Sequence, residues 1–359
     1  ITKYHGSDVD VVIPASLDGV PVTNIDLESF KDQSRIKSVK IPEGVTEISE
    51  YVPMSGKYSG AFEGCTHLEK VELPDSLEII GYKAFSGCKY LSEVTIPGNV
   101  TDIKEQAFYG CQHLRSIEIP GSVKTIGFWA FKDCTRLEQL TLNDGLILLD
   151  GASFWGCTSL TSVEIPDSVT KISSAFGNCS SLESINIPDG VTFLGEVVFN
   201  TPIEKDESRY EDGALYIGKH LIKVNGSVSG DYAVKDGTRC IASSAFSNCG
   251  RIGKLTIPDT AIICQGAFEF GYITEVDIAE GVSIIGGSAF YYCNELTRAS
   301  IPGSTVILGD GAFSDCSVLK EVTIGEGLTK IGNEAFLNCN DLETITIPSS
   351  VREIGDSAF

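Results

Sequence analysis

A single period governs this 359-residue chain and leaves few folds open to it. Phe62, Phe85, Phe108, Phe131 and Phe154 recur every 23 residues. Phe30 opens the series, Phe176 and Phe199 extend it, and Phe246, Phe268, Phe290, Phe313, Phe336 and Phe359 resume it. Eleven of these fourteen Phe residues follow Ala, and a Cys stands three residues after the Phe in ten repeats, from Cys65 to Cys339. A fixed period of this length is the mark of a stacked array, in which no unit can bury its own apolar side and neighbours supply the core.

The stretch from Leu91 to Cys111 shows what each unit contributes. Val94 and Ile96 alternate with Glu93 and Thr95, the period-two pattern of a short half-buried strand. Pro97 follows, and ten of the thirteen prolines fall at this place, where a residue with no N–H to give ends a strand. Val100 and Ile103 supply a second inward pair. Gly127, Gly286 and Gly332 follow the corresponding Ile and suit a tight corner. The Ala-Phe-x-x-Cys segment is expected to form a helical turn. Two places break the period. Residues 51–58 read as a loop insertion, and 200–235 as an irregular insertion containing a β-hairpin around Gly218-Lys219. Restored patterning at Tyr232-Ala233-Val234 favours one continuous domain over 1–359, with 1–30 as an N-terminal capping repeat. The chain ends at Phe359 in mid-repeat, where a capping unit is expected, so a boundary within a longer chain is anticipated.

The Ile-Pro, Val-x-x-Ile-Gly, Ala-Phe and Cys-x-x-Leu elements, with the opening Gly6 to Pro14 and the Asp212-Gly213-Ala214-Leu215-Tyr216 run, resemble the BspA-like (Treponema pallidum-type) leucine-rich repeat. The resemblance spans nearly the whole chain. It implies an α/β repeat solenoid: a right-handed curved rod with a parallel strand ladder, short strands and helical turns. For function it implies a bacterial cell-surface or secreted binding and adhesion module that recognises a host or matrix protein or glycan. A structural spacer presenting another domain is the alternative. No family motif marks a ligand residue.

Composition narrows the partners. With 49 acidic against 27 basic residues the net charge is −22, which repels phosphate backbones, so nucleic acid is not expected. No stretch approaches the roughly 20 apolar residues of a membrane span. No basic and apolar leader opens the sequence, although one could have been removed before Ile1. A monomer is expected.

No catalytic equipment is legible: there is no nucleophile elbow, phosphate-binding loop or His-Glu-x-x-His pattern. Catalytic, metal and cofactor residues are therefore expected to be none. The cysteine column reads as fold periodicity with buried reduced thiols, not as the short paired spacings of zinc sites. Cys240 and Cys264 stand outside the column and are the better candidates for paired or reactive thiols. His67 and His113 fall two coils apart, about 10 Å by strand spacing, too far for a joint metal site. His5 and His220 have no evident carboxylate or nucleophile nearby in sequence. Outward strand positions such as Lys40, Glu72, Thr95 and Glu118 form a solvated face without aromatic or Arg anchors. The candidate partner-binding residues are instead Tyr82, Tyr109, Phe128, Trp129 and Trp155, which depart from the repeat consensus in successive coils. Phe270, Tyr272, Tyr291 and Tyr292 form a second such group.

Overall fold

The computed structural model describes residues 1–49, 58–247 and 249–359, so residues 51–57 of the expected insertion lie outside the described residues. The chain divides into two compact units, Ile1–Gly190 with Val197–Lys205, and Val191–Glu196 with Asp206–Phe359.

In the first unit the alternating segments form parallel strands. Asp10–Val12, Ser38–Lys40, Lys70–Glu72 and Glu93–Val94 lie side by side, Ser116–Ile119 pairs with Gln139–Leu142, and Ser162–Val163 pairs with Ser184–Ile185. The register sets Val39 beside Val71 and Ile119 beside Leu142, so the buried positions stack on one face. The opposite face carries ion pairs such as Lys40–Glu72 at 3.4 Å and Arg115–Glu138 at 2.5 Å. The Val-x-x-Ile pair, expected only to point inward, makes a second parallel ladder. Its two-residue strands include Glu47–Ile48, Ile79–Ile80, Asp102–Ile103, Thr125–Ile126 and Leu148–Leu149, each ending on a fully buried side chain. Between the two strands the proline carbonyl closes a turn, as where Val100 N–H donates to Pro97 O at 3.1 Å.

The second unit repeats the plan. Gly230–Ala233, Ile252–Ile257, Ile273–Ile278, Arg298–Ile301 and Glu321–Ile324 form one parallel ladder. The other runs from His220–Val224 through Cys240–Ile241, Ile262–Ile263, Ile284–Ile285, Ile307–Leu308 and Lys330–Ile331 to Glu353–Ile354. Ala214–Ile217 pairs antiparallel with His220–Val224 across Gly218-Lys219, placing Ile217 opposite His220.

The Ala-Phe-x-x-Cys segment is not helical. Its N–H groups alternate between two kinds of partner: Ala84, Ser86 and Cys88 donate to carbonyls three residues back in their own coil, whereas Lys83, Phe85 and Gly87 donate to Glu105, Ala107 and Tyr109 of the next coil. A helix would claim all of these donors for itself, and the inter-coil ladder claims every second one. The alternation goes with left-handed backbone two residues after the Phe, and in most coils two residues before it as well. The later position is filled by Gly64, Gly87, Gly110 and Gly156, by Asp32, Asp133 and Asp315, and by Asn178 and Asn338, the residue types that tolerate this region. Helix among the described residues is confined to Pro202–Lys205 and the 3-10 turn Glu207–Arg209.

The Phe rings stack along each unit, with Phe108 and Phe131 centroids 5.0 Å apart and Phe131 and Phe154 5.1 Å apart, their planes within 8° and 3°. Phe199 is a correction to the expected series. Val198 takes the buried column position and Phe199 is 41% exposed. The repeat here is 22 residues long, as it is between Phe154 and Phe176, so counting 23 overshoots by one. Gly127 and Gly286 have ordinary φ; a Cβ there would come within 2.8 and 2.6 Å of the preceding coil's backbone, so close stacking demands glycine at these corners.

Candidate functional site

The repeated interior explains the cysteines without any reactive chemistry. Nine of the ten column thiols, all but Cys249, donate to the carbonyl of the Phe one coil back, as Cys88 Sγ does to Phe62 O at 3.1 Å and Cys316 Sγ to Phe290 O at 3.1 Å. A buried carbonyl on the inner side of the coil thus gains a partner from a small apolar side chain. Burial pushes the thiols of Cys65, Cys179, Cys293 and Cys339 up to about 12, away from the thiolate that nucleophilic chemistry needs. Cys240 and Cys264 do come together, by a hydrogen bond between their side chains and not by a disulfide. Cys240 Sγ also donates to Val191 O at 3.1 Å, and Leu194 N–H donates to Cys264 Sγ at 3.3 Å. Contact with Cys264 and burial together raise the Cys240 pKa, and both sulfurs are shut off from solvent.

His67 and His113 are separated by Tyr90, whose ring stacks on both at 5.7 and 4.4 Å. The three rings occupy the second place after successive column cysteines. His113 Nδ1 is 2.9 Å from Lys89 O, an acceptor, so that nitrogen carries the proton. Among the described residues no group of three or more His, Cys, Asp or Glu side chains is placed to hold a metal ion, and no helix is long and apolar enough to cross a membrane.

The five candidate residues of the first aromatic group fall into three places, all in the first unit. Phe128 and Trp129 stack at 4.6 Å, and Trp129 meets Tyr109 of the preceding coil at 6.4 Å. Lys132 lies over the Trp129 indole at 4.1 Å, a cation–π contact that the sequence did not reveal. Phe128, 40% exposed, covers Gly151 of the next coil, where a Cβ would sit 2.6 Å from its ring. Trp155 lies across Gly177 and stacks at 5.7 Å on Phe199. Tyr109, Lys132 and Trp155 hold one position, directly after the column Phe, on three successive coils, and Phe199 holds the equivalent position two coils further on. Tyr82 belongs elsewhere: with Glu47, Ser49, Tyr58, Lys104 and Glu105 it lines a cavity of about 530 Å³, and Lys83 Nζ is 5.2 Å from its ring. Phe199 was missed because it was counted into the core series; the Val before it, in place of Ala, was the available signal.

The sequence region called BspA type leucine rich repeat, in six copies, matches residues 12–54, 57–175, 148–223 and 239–359. The chain belongs to this family. Among solved structures it is similar to a leucine-rich-repeat protein from Bacteroides ovatus, at 26% identity and TM-score 0.51, over 97% of this chain and 83% of that one. It is also similar to a leucine rich cell surface protein from Faecalibacterium prausnitzii, at 25% identity and TM-score 0.48, over 90% and 89% of the two chains. The leucine rich repeat protein of T. pallidum matches at 28% identity and TM-score 0.43, over 57% of this chain and 84% of that one. No curated protein matches the chain. As a BspA-type leucine-rich-repeat protein, it is a repeat module of the protein-interaction kind, on a fold that typically serves as a non-enzymatic scaffold.

Proposed function

We propose that this chain is a non-catalytic recognition module that binds a host or matrix protein or glycan through the aromatic strip of its first unit. Family membership supports a cell-surface or secreted setting for that role. The observation that carries the reading is the grouping of Tyr109, Phe128, Trp129 and Trp155 with Lys132 and Phe199 at the coil surface, over glycines that leave room for the rings. Such rings are large, stiff and only partly covered, so they offer contact area with little side-chain entropy to lose on binding. Stacking between neighbouring coils sets their spacing before any ligand arrives. The reading extends the solenoid over the whole chain as one continuous domain. Tyr82, which lines its own cavity, is assigned a separate, secondary contact.

The test is saturable binding of the full chain to arrayed extracellular-matrix proteins and glycans, repeated with Trp129→Ala and Trp155→Ala. Binding lost in variants that keep the wild-type circular dichroism spectrum supports the strip. Binding retained in both moves the site to another surface, and no binding at all favours a spacer that presents another domain.

A further inference from the structure

In the second unit two aromatic residues occupy a left-handed position that other described coils give to Gly, Asp or Asn. At the second position after the column Phe, where other coils place those small residues, stand Phe270 and Tyr292, each with φ 58°. Bulky aromatic side chains are disfavoured in this left-handed region. Nor does burial compensate, since Phe270 is 50% and Tyr292 46% exposed. Backbone strain carried by exposed rings is a cost that a binding function explains and a packing function does not.

The rings are gathered. Phe270 lies 5.5 Å from Tyr292 and 5.6 Å from Tyr291, the two tyrosines are 6.0 Å apart, and Tyr272, 58% exposed, follows Phe270 on the same coil. Beside them stands Glu269, whose carboxyl is held above its ordinary range by burial and by the facing Glu196 carboxylate. Among the described residues no Lys or Arg neutralises either one, and the nearby Arg251 is already engaged with Glu295 at 2.6 Å. This unit holds 22 Asp and Glu against 11 Lys and Arg.

We propose that Phe270, Tyr272, Tyr291 and Tyr292, with Glu269 and Glu196, form a docking surface for an arginine-bearing segment of a partner protein. A guanidinium is planar, stacks on ring faces and forks onto carboxylates, so it fits both halves of the cluster. A neutral glycan would use the rings and leave the two carboxylates repelling each other. An anionic ligand would be repelled.

The experiment measures anisotropy of a fluorescent hexa-arginine peptide with the full chain in 0.15 M salt, with hexa-glutamate and a neutral hexasaccharide as controls. Phe270→Asn/Tyr292→Asn leaves the net charge unchanged and installs the residue type that this backbone favours. It is expected to weaken hexa-arginine binding about tenfold while its urea midpoint stays level or rises. Glu269→Gln weakens binding as well, and Trp129→Ala, in the first unit, leaves it unchanged, so this surface and the first strip fail independently. Equal binding by wild type and the double Asn variant would reduce the effect to general acidity and overturn the proposal. So would preference for the neutral sugar, absence of peptide binding, or a clear loss of stability in the double Asn variant.

Discussion

The stacked Phe column should behave as a chain of nearest-neighbour contacts, and a double-mutant cycle can read that directly. Phe131→Leu keeps an apolar side chain in a site with no solvent exposure but removes two ring contacts, with Phe108 at 5.0 Å and Phe154 at 5.1 Å. At about 0.5–1.5 kcal/mol per aromatic pair, the single variant should lose about 1–3 kcal/mol. Phe154→Leu loses a similar amount, because its contacts are Phe131 and, at 5.4 Å, Phe176. The two singles both count the 131–154 contact, so the double variant should be less destabilised than their sum by about 0.5–1.5 kcal/mol. Phe131→Leu with Phe176→Leu shares no ring contact and should be additive within about 0.5 kcal/mol. Urea unfolding followed by circular dichroism measures these differences, provided the slope against denaturant is the same for all variants. Exchange of the Phe131 and Phe154 amides, which donate to Ser153 O and Ala175 O, reports the same coupling locally. Equal coupling in the adjacent and the separated pair would refute a nearest-neighbour core.

Three further outcomes follow from the same geometry. Folded thiols hold their protons to about pH 12 at Cys65, Cys179, Cys293 and Cys339, whereas unfolded thiols release theirs near pH 8.5. Their contribution to stability is therefore intact below about pH 8.5 and lost as pH rises toward 12; urea midpoints at pH 8, 9 and 10 should fall, and fall less steeply after Cys→Ala changes in the column. Gly286→Ala places a Cβ 2.6 Å from Gln265 N and should cost about 1–3 kcal/mol, whereas Gly98→Ala, with nothing within 4 Å, should be neutral or stabilise by up to about 1 kcal/mol. Thermal melts that rank the two the other way would show that the corner is not close-packed. Gly177→Ala intrudes on the half-exposed Trp155 ring, so the indole should swing off Phe199, with a red shift in tryptophan emission and a stability loss under about 1 kcal/mol.

Much of this architecture is legible in the letters because the period fixes several columns together. Val94, Ile96, Ile103, Phe108 and Cys111 each repeat at a constant offset, and a solenoid converts constant offset into a shared face. The hairpin at Ala214 to Val224 is legible for a different reason, two apolar runs flanking Gly218-Lys219. The Ala-Phe-x-x-Cys turn misleads because i, i+3 spacing suits a helix equally well; only the destination of each N–H separates the two, and half of those destinations lie in another coil. Phe199 misleads by a single residue of repeat length. The aromatic candidates could be picked out as departures from consensus, but Lys132 over Trp129 depends on the left-handed backbone at Trp129, and Tyr90 between two imidazoles on the angle between coils, neither of which one sequence encodes locally.

The alternation of amide partners around each Phe also acts as a parity rule on the length of the coil. Every second N–H looks inward to its own turn and the others look along the stack, so one residue gained or lost inside the segment would exchange the two sets and break both at once. The chain's own repeats keep to this arithmetic. From Phe to Cys the count is three in all ten repeats that have the Cys, while from one Phe of the series to the next it runs to 22, 23, 32 or 47. Length is free to drift at the corners and is quantised beside the rings, which makes the corners the places where such a coil can be lengthened to carry something new.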